Sequence, residues 1–129
     1  MLVWIAVAGA AGAIARYALA GLAHTLFGVR LPWGTLLVNL AGCFLLGVLS
    51  EVTSRTGWAS PEVRAAAAIG FLGSFTTFST FGLESFRSLE AGDWSGALSN
   101  VGLNVGGGLA LVFLGVLTGR WLLTLRGML

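Results

Sequence analysis

The sequence predicts an all-α membrane protein with four transmembrane helices per chain. Three observations carry this. Of 129 residues, 57% are hydrophobic and 9% are charged, and the mean hydropathy is +0.92. A soluble domain of this size has a large surface to coat, and seven arginines with five acids cannot coat it. The charges also fall between apolar stretches of about 20 residues, the length that a bilayer core asks for. Finally, Trp4, Trp33, Trp58, Trp94 and Trp121 all lie near the ends of those stretches, where an apolar ring with one polar handle suits the membrane interface. One transmembrane domain over residues 1–129 is expected, with the lipid bilayer as its solvent.

The first span covers about residues 2–23. It lacks the basic leader of a cleaved signal peptide, and Arg16 interrupts its later part. A charge inside a span is costly and so needs an explanation. For Arg16 two readings stand level: an anion attractor or acid partner at a vestibule, or a side chain that snorkels to the headgroups. His24, at the end of this span, is expected at the interface.

The second span covers residues 32–50 and opens on Pro32, where a missing N–H costs least. Asn39 sits near its middle. An amide there is either a bond between helices or a donor to a passing anion. Cys43 is the only cysteine, so it forms no disulfide within the chain, and it reads as a small buried hydrophobe.

The third span covers residues 65–83, preceded by Ser60-Pro61-Glu62, which has the pattern of a helix start. Its stretch from Gly70 to Phe81 combines two glycines, five hydroxyls and four phenylalanines. Gly73 and Ser74 are weak helix formers, and Thr76 and Thr77 are β-branched. Either the helix unwinds here, or it is an ordinary packed helix with hydroxyls bonded to their own turn. Unwound backbone in a membrane must be buried or line a wet cavity. Freed carbonyls then suit a hard cation such as Na⁺, and freed N–H groups suit anions. Phe78 and Phe81 share a helix face, and their ring edges carry positive partial charge. Glu84, just after the span, reads as an interfacial charge or an entrance carboxylate.

The fourth span covers residues 94–119. Asn100 and Asn104 share one face, continued by Gly108, and either line a water path or join helices. Gly102 with Gly106, and Gly115 with Gly119, have the spacing that permits close helix approach.

Several classes are excluded. The arginines are scattered, with no basic patch for nucleic acid. Only His24 offers an imidazole, no cluster has metal-ligand spacing, and the chain has no lysine for a phosphate-binding loop. No enzyme chemistry is indicated. The arginine bias between the two sides is small. On charge alone a single orientation is slightly favoured over insertion in both directions.

The string Thr76-Thr77-Phe78-Ser79-Thr80-Phe81 resembles the signature of the Fluc (CrcB) fluoride channels. The resemblance extends over nearly the whole chain, through Gly12, Arg16, Trp33-Gly34-Thr35, Asn39-Leu40-Ala41-Gly42, the Gly70-Phe71-Leu72-Gly73 run and Glu84. It implies a dual-topology, antiparallel homodimer with two fluoride pores, passively exporting fluoride across a bacterial plasma or inner membrane. It also implies a structural Na⁺ held at the breaks by the backbone carbonyls of Gly73 and Thr76. Phe78, Phe81 and Asn39 would line the fluoride path, with Thr77, Ser79 and Thr80 as the hydroxyl string. Arg16 would sit at the vestibule, and Glu84, Asn100 and Asn104 along a polar track. Ser74-Phe75 departs from the Gly-Leu of a familiar form of the motif, and Asn100, Asn104 and Gly108 depart from its fourth span. Two rivals remain: a small multidrug-type transporter, which needs a membrane-embedded carboxylate, and a non-transporting assembly subunit.

Overall fold

The computed structural model describes residues 1–28 and 30–127. They form four long apolar helical spans. Helix α1 runs Leu2–Phe27 and stops where Gly28 takes a φ of 75°. Helix α2 runs Trp33–Thr56, with Pro32 before its first turn and Gly57 in the left-handed region after its last. Both exceed the apolar stretches that mark them in the sequence. At about 1.5 Å per residue, helices of 26 and 24 residues outrun a hydrocarbon core of about 30 Å. Their charged ends, such as Glu51 and Arg55, therefore continue the helix into the headgroups.

The third span is in two pieces. Helix α3 covers residues 61–75. Ser60 caps its start by accepting the Val63 N–H at 3.4 Å, and Pro61 lies in its first turn. Its middle, Ala66–Leu72, is widened into π-helical turns. Thr76 and Thr77 are extended, and helix α4, Phe78–Glu90, follows. Helix α5 spans Trp94–Leu125, capped by Asp93, whose carboxylate accepts the Gly96 N–H at 2.8 Å. It too carries a π-helical segment, at Leu103–Gly107.

Small residues let the helices close on one another. A methyl group on Gly47 of α2 would run into the Val112 carbonyl of α5, and one on Gly115 would run into that of Phe44. Gly119 lies against Glu51, which binds both Arg55 and Arg120, the latter at 2.9 Å. Gly12 of α1 lies on the Phe71 carbonyl, and Gly70 on that of Ile5, so α1 crosses the π-helical turns of α3 at close range. Val38, Leu72 and Phe75 form the small core beneath the break. A methyl group on Gly102 or Gly106, by contrast, would meet nothing within 4 Å beyond its own helix backbone. Of the two glycine pairs in the fourth span, only Gly115 and Gly119 serve helix approach among the described residues.

Large apolar side chains such as Leu2, Val7, Ile14 and Tyr17 are exposed along α1. Such a surface suits lipid or another protein better than water. Gly47→Leu is expected to lower stability by at least about 3 kcal/mol, because backbone faces backbone and the site cannot repack. Thermal unfolding in detergent checks this. A melting temperature equal to wild type would show that α2 and α5 are not held by this contact.

Candidate functional site

The site is built where the third span breaks. At Gly42 of α2 an added methyl would overlap the Thr76 methyl, so the glycine makes room for Thr76. Thr76 closes α3, its N–H and hydroxyl both donating to the Leu72 carbonyl at 3.0 Å. Thr77 opens α4 as its cap. Its Oγ1 accepts the Thr80 N–H at 3.3 Å and donates to the Thr80 hydroxyl at 2.9 Å. In an unbroken helix the Thr77 N–H would go to the Gly73 carbonyl. Here it donates to Asn39 Oδ1 at 2.8 Å, and Asn39 Nδ2 donates back to the Thr77 carbonyl at 3.1 Å. One side chain of α2 thus meets both backbone groups of Thr77, and the Gly73 carbonyl loses that partner.

Asn39 begins a longer line. Its Nδ2 also donates to Asn104 Oδ1 at 2.9 Å. Asn104 Nδ2 donates to the backbone carbonyl and Oδ1 of Asn100, at 3.1 and 2.9 Å. Asn100 Nδ2 donates to Ser85 Oγ at 2.9 Å, and the Ser85 hydroxyl donates to the Phe81 carbonyl at 2.9 Å. Asn100 and Asn104 do share one helix face, as their spacing predicts. Ser85 carried no signal in the sequence, since a lone serine on a helix is ordinary.

Two cavities flank the break. One, of about 310 Å³, is lined by Asn39, Cys43, Gly73, Thr76, Thr77, Phe78, Phe81 and Asn104. It brings together the residues expected for the cation, for the aromatic pair and for the amide. Cys43 is half-buried against it and is not sealed in a core. The Phe78 and Phe81 rings lie 5.4 Å apart, edge toward face at 61°. Phe81 is 8% exposed and Phe78 81%. The second cavity, of about 390 Å³, is lined by Arg16, Tyr17, Thr35, Thr77 and Thr80. Thr77 lines both.

Arg16 is half-buried, and its guanidinium donates to the Thr76 carbonyl at 3.5 Å, a long contact. Among the described residues it pairs with no carboxylate, and it points along the protein toward this second cavity. Glu84 accepts the Thr35 hydroxyl at 2.8 Å, and its other oxygen is buried without a partner among the described residues. It lies on the inner side of α4 and is only half exposed, more enclosed than an interfacial charge. Ser79 is exposed on α4, and its hydroxyl makes no hydrogen bond among the described residues. No group of three His, Cys, Asp or Glu side chains that could hold a metal ion occurs among the described residues.

The family model described as "CrcB-like protein, Camphor Resistance (CrcB)" matches residues 3–116. A fluoride-specific ion channel FluC from Geobacter sulfurreducens is 48% identical over 118 residues, covering 92% of this chain and 95% of that protein. The one from Geobacter metallireducens is 46% identical over 121 residues, covering 94% and 98%. One from Sorangium cellulosum is 38% identical over 120 residues, covering 93% and 94%. With four apolar spans and matches of this length, the chain is a multi-pass membrane protein, and it belongs to the Fluc (CrcB) family.

Proposed function

We propose that the chain forms a fluoride-selective channel that lets fluoride leave the cytoplasm passively. The observation that carries this reading is the break at Thr76-Thr77. It turns backbone groups out of a membrane helix beside the Phe78–Phe81 pair, in one shared cavity. The family is one of channels, and no enzyme chemistry is required of any residue.

Fluoride is small and strongly hydrated, so several moderate contacts must replace its water and still release it. The ring edges of Phe78 and Phe81 offer positive partial charge without a full cation. The Ser79 and Thr80 hydroxyls and the α4 N-terminus add donors at the break, while the Thr77 hydroxyl, whose one hydrogen goes to Thr80, orients the Thr80 hydroxyl. Arg16 raises the anion concentration at the vestibule. Asn39, Asn104 and Asn100 make the polar line behind the aromatic pair, whereas Glu84, expected on the same track, is bonded to Thr35 apart from it. Both amide hydrogens of Asn39 are engaged with protein, so its part is to hold Thr77. It donates to fluoride only where one of those bonds exchanges.

The working unit is an antiparallel homodimer with two pores. An inverted second copy would bring two breaks face to face about a two-fold axis. The donor set fits a structural Na⁺ shared there. Gly73 has no side chain and a carbonyl without the Thr77 N–H, and the Thr76 carbonyl takes only the long Arg16 contact. When bound, the cation offsets the repulsion of an anion by a low-dielectric interior.

The reading against a multidrug-type transporter rests on Glu84, which is tied to Thr35 and faces neither cavity. In cells, hydrogen fluoride enters from an acidic medium and ionises inside, so a channel lets the trapped anion escape. The chain is expected to restore growth in fluoride to a bacterium lacking its own fluoride exporter, more strongly at acid than at neutral external pH. Expression at the membrane without any gain in fluoride tolerance would count against the function.

A further inference from the structure

We infer that Asn100 and Ser85 are positioning residues for conduction, acting through a directed hydrogen-bond relay whose two ends both fasten the first turn of α4. This rests on the channel reading, adds Ser85 to its machinery and gives Asn100 a positioning role in it.

The direction of the relay follows from its backbone ends. The Thr77 N–H can only donate, so the Asn39 atom facing it is oxygen, and the other Asn39 atom is nitrogen. That nitrogen needs acceptors, which are the Thr77 carbonyl and Asn104 Oδ1. Asn104 then turns its nitrogen to the Asn100 carbonyl, which can only accept. At the far end the Phe81 carbonyl makes the Ser85 hydroxyl a donor, so Ser85 Oγ accepts from Asn100 nitrogen. Asn100 oxygen is left facing Asn104 nitrogen, where it is needed. Every side chain has one orientation that satisfies both neighbours, and the two ends agree.

The ends also define what is held. Thr77 and Phe81 are four residues apart and bracket Phe78, so the relay straps the turn that carries the aromatic pair. Asn39, Asn104 and Phe81 line the cavity at the break, but Asn100 and Ser85 line neither that cavity nor the one at Arg16. Asn100 is 2% exposed and Ser85 8%. They are placed to orient the groups that line the path and are out of reach of an ion in it.

The test uses full-length protein in fluoride-loaded liposomes, with thermal unfolding of each variant measured in parallel. Ser85→Ala strands the Asn100 N–H and is expected to lower both melting temperature and flux, the latter about tenfold. Ser85→Thr keeps the hydroxyl and should keep the flux. The double variant Asn100→Leu with Ser85→Ala removes both polar partners of that junction and leaves Asn104 its bond to the residue 100 backbone carbonyl, so stability should recover in part. Its flux should stay low, because Asn104 has lost the side-chain oxygen that orients it. Flux that recovers with stability in the double variant, or wild-type flux in Ser85→Ala, would overturn the relay. Should Ser85→Ala not fold, the double variant and Ser85→Thr decide the matter in the same way. Wild-type liposomes run alongside separate the two claims: no wild-type flux removes the channel reading, whereas normal wild-type flux with unaffected variants removes the relay alone.

Discussion

Asn39→Leu is expected to lower fluoride flux by about a hundredfold, the largest loss of any single substitution at the break. Leucine fills the same space but bonds to nothing. It leaves the Thr77 N–H, the Thr77 carbonyl and Asn104 Oδ1 without the partners they have now. A buried polar group that loses its partner costs about 1–3 kcal/mol, and here the cheapest repair is to return the Thr77 N–H to Gly73 and continue the helix. That repair would erase the break and reclaim the Gly73 carbonyl. Fluoride efflux and thermal unfolding should be read together. A folded Asn39→Leu protein that conducts within a few-fold of wild type would show that the break does not depend on this clamp.

The second large effect is expected at the aromatic pair. Phe78→Ile and Phe81→Ile should each lower flux about fivefold, the scale of one lost aromatic edge contact of about 1 kcal/mol. The two differ in what else they disturb. Phe81 is buried, so its replacement also costs packing, about 1–2 kcal/mol. Phe78 is 81% exposed within one chain, so its replacement should leave the melting temperature of the chain almost unchanged. Because the rings touch, the double variant should lose less than the product of the single effects. Unchanged flux in a folded Phe78→Ile protein would remove the aromatic part of the mechanism.

These expectations mark where the sequence was legible and where it was not. The spans could be read because lipid imposes a composition over a set length, and the charges at Arg30, Glu51, Glu62 and Asp93 interrupt it. A break in the third span could be suspected from Gly73, Ser74, Thr76 and Thr77, each with a local reason to leave a helix. What fixes it at Thr76-Thr77, one turn before Phe81, could not, because that depends on Asn39 from another helix accepting the Thr77 N–H. The amide of Asn39 stood out as a polar group in lipid, but a partner on the backbone is decided by helix crossing, not by spacing. The same holds for Gly102 and Gly106. Their spacing is right for close approach, yet helix α5 meets α2 through Gly108, Gly115 and Gly119 instead. The π-helical turns at Ala66–Leu72 and Leu103–Gly107 left no mark in composition. They matter because they set which face Asn104 and the carbonyls before the break present. Ser74 departs from the familiar motif, and the structure gives it a packing place against Gly9 of α1, away from the cavity.

The measurement that bears most directly on the central claim is fluoride efflux from liposomes holding the purified protein. The vesicles are loaded with potassium fluoride, valinomycin is added to carry the balancing potassium, and external fluoride is followed with an electrode. Chloride-loaded vesicles are measured in the same way. The account predicts rapid fluoride efflux that begins with valinomycin, and no chloride efflux above protein-free vesicles. Folded protein that releases no fluoride, or releases chloride as readily, would contradict it.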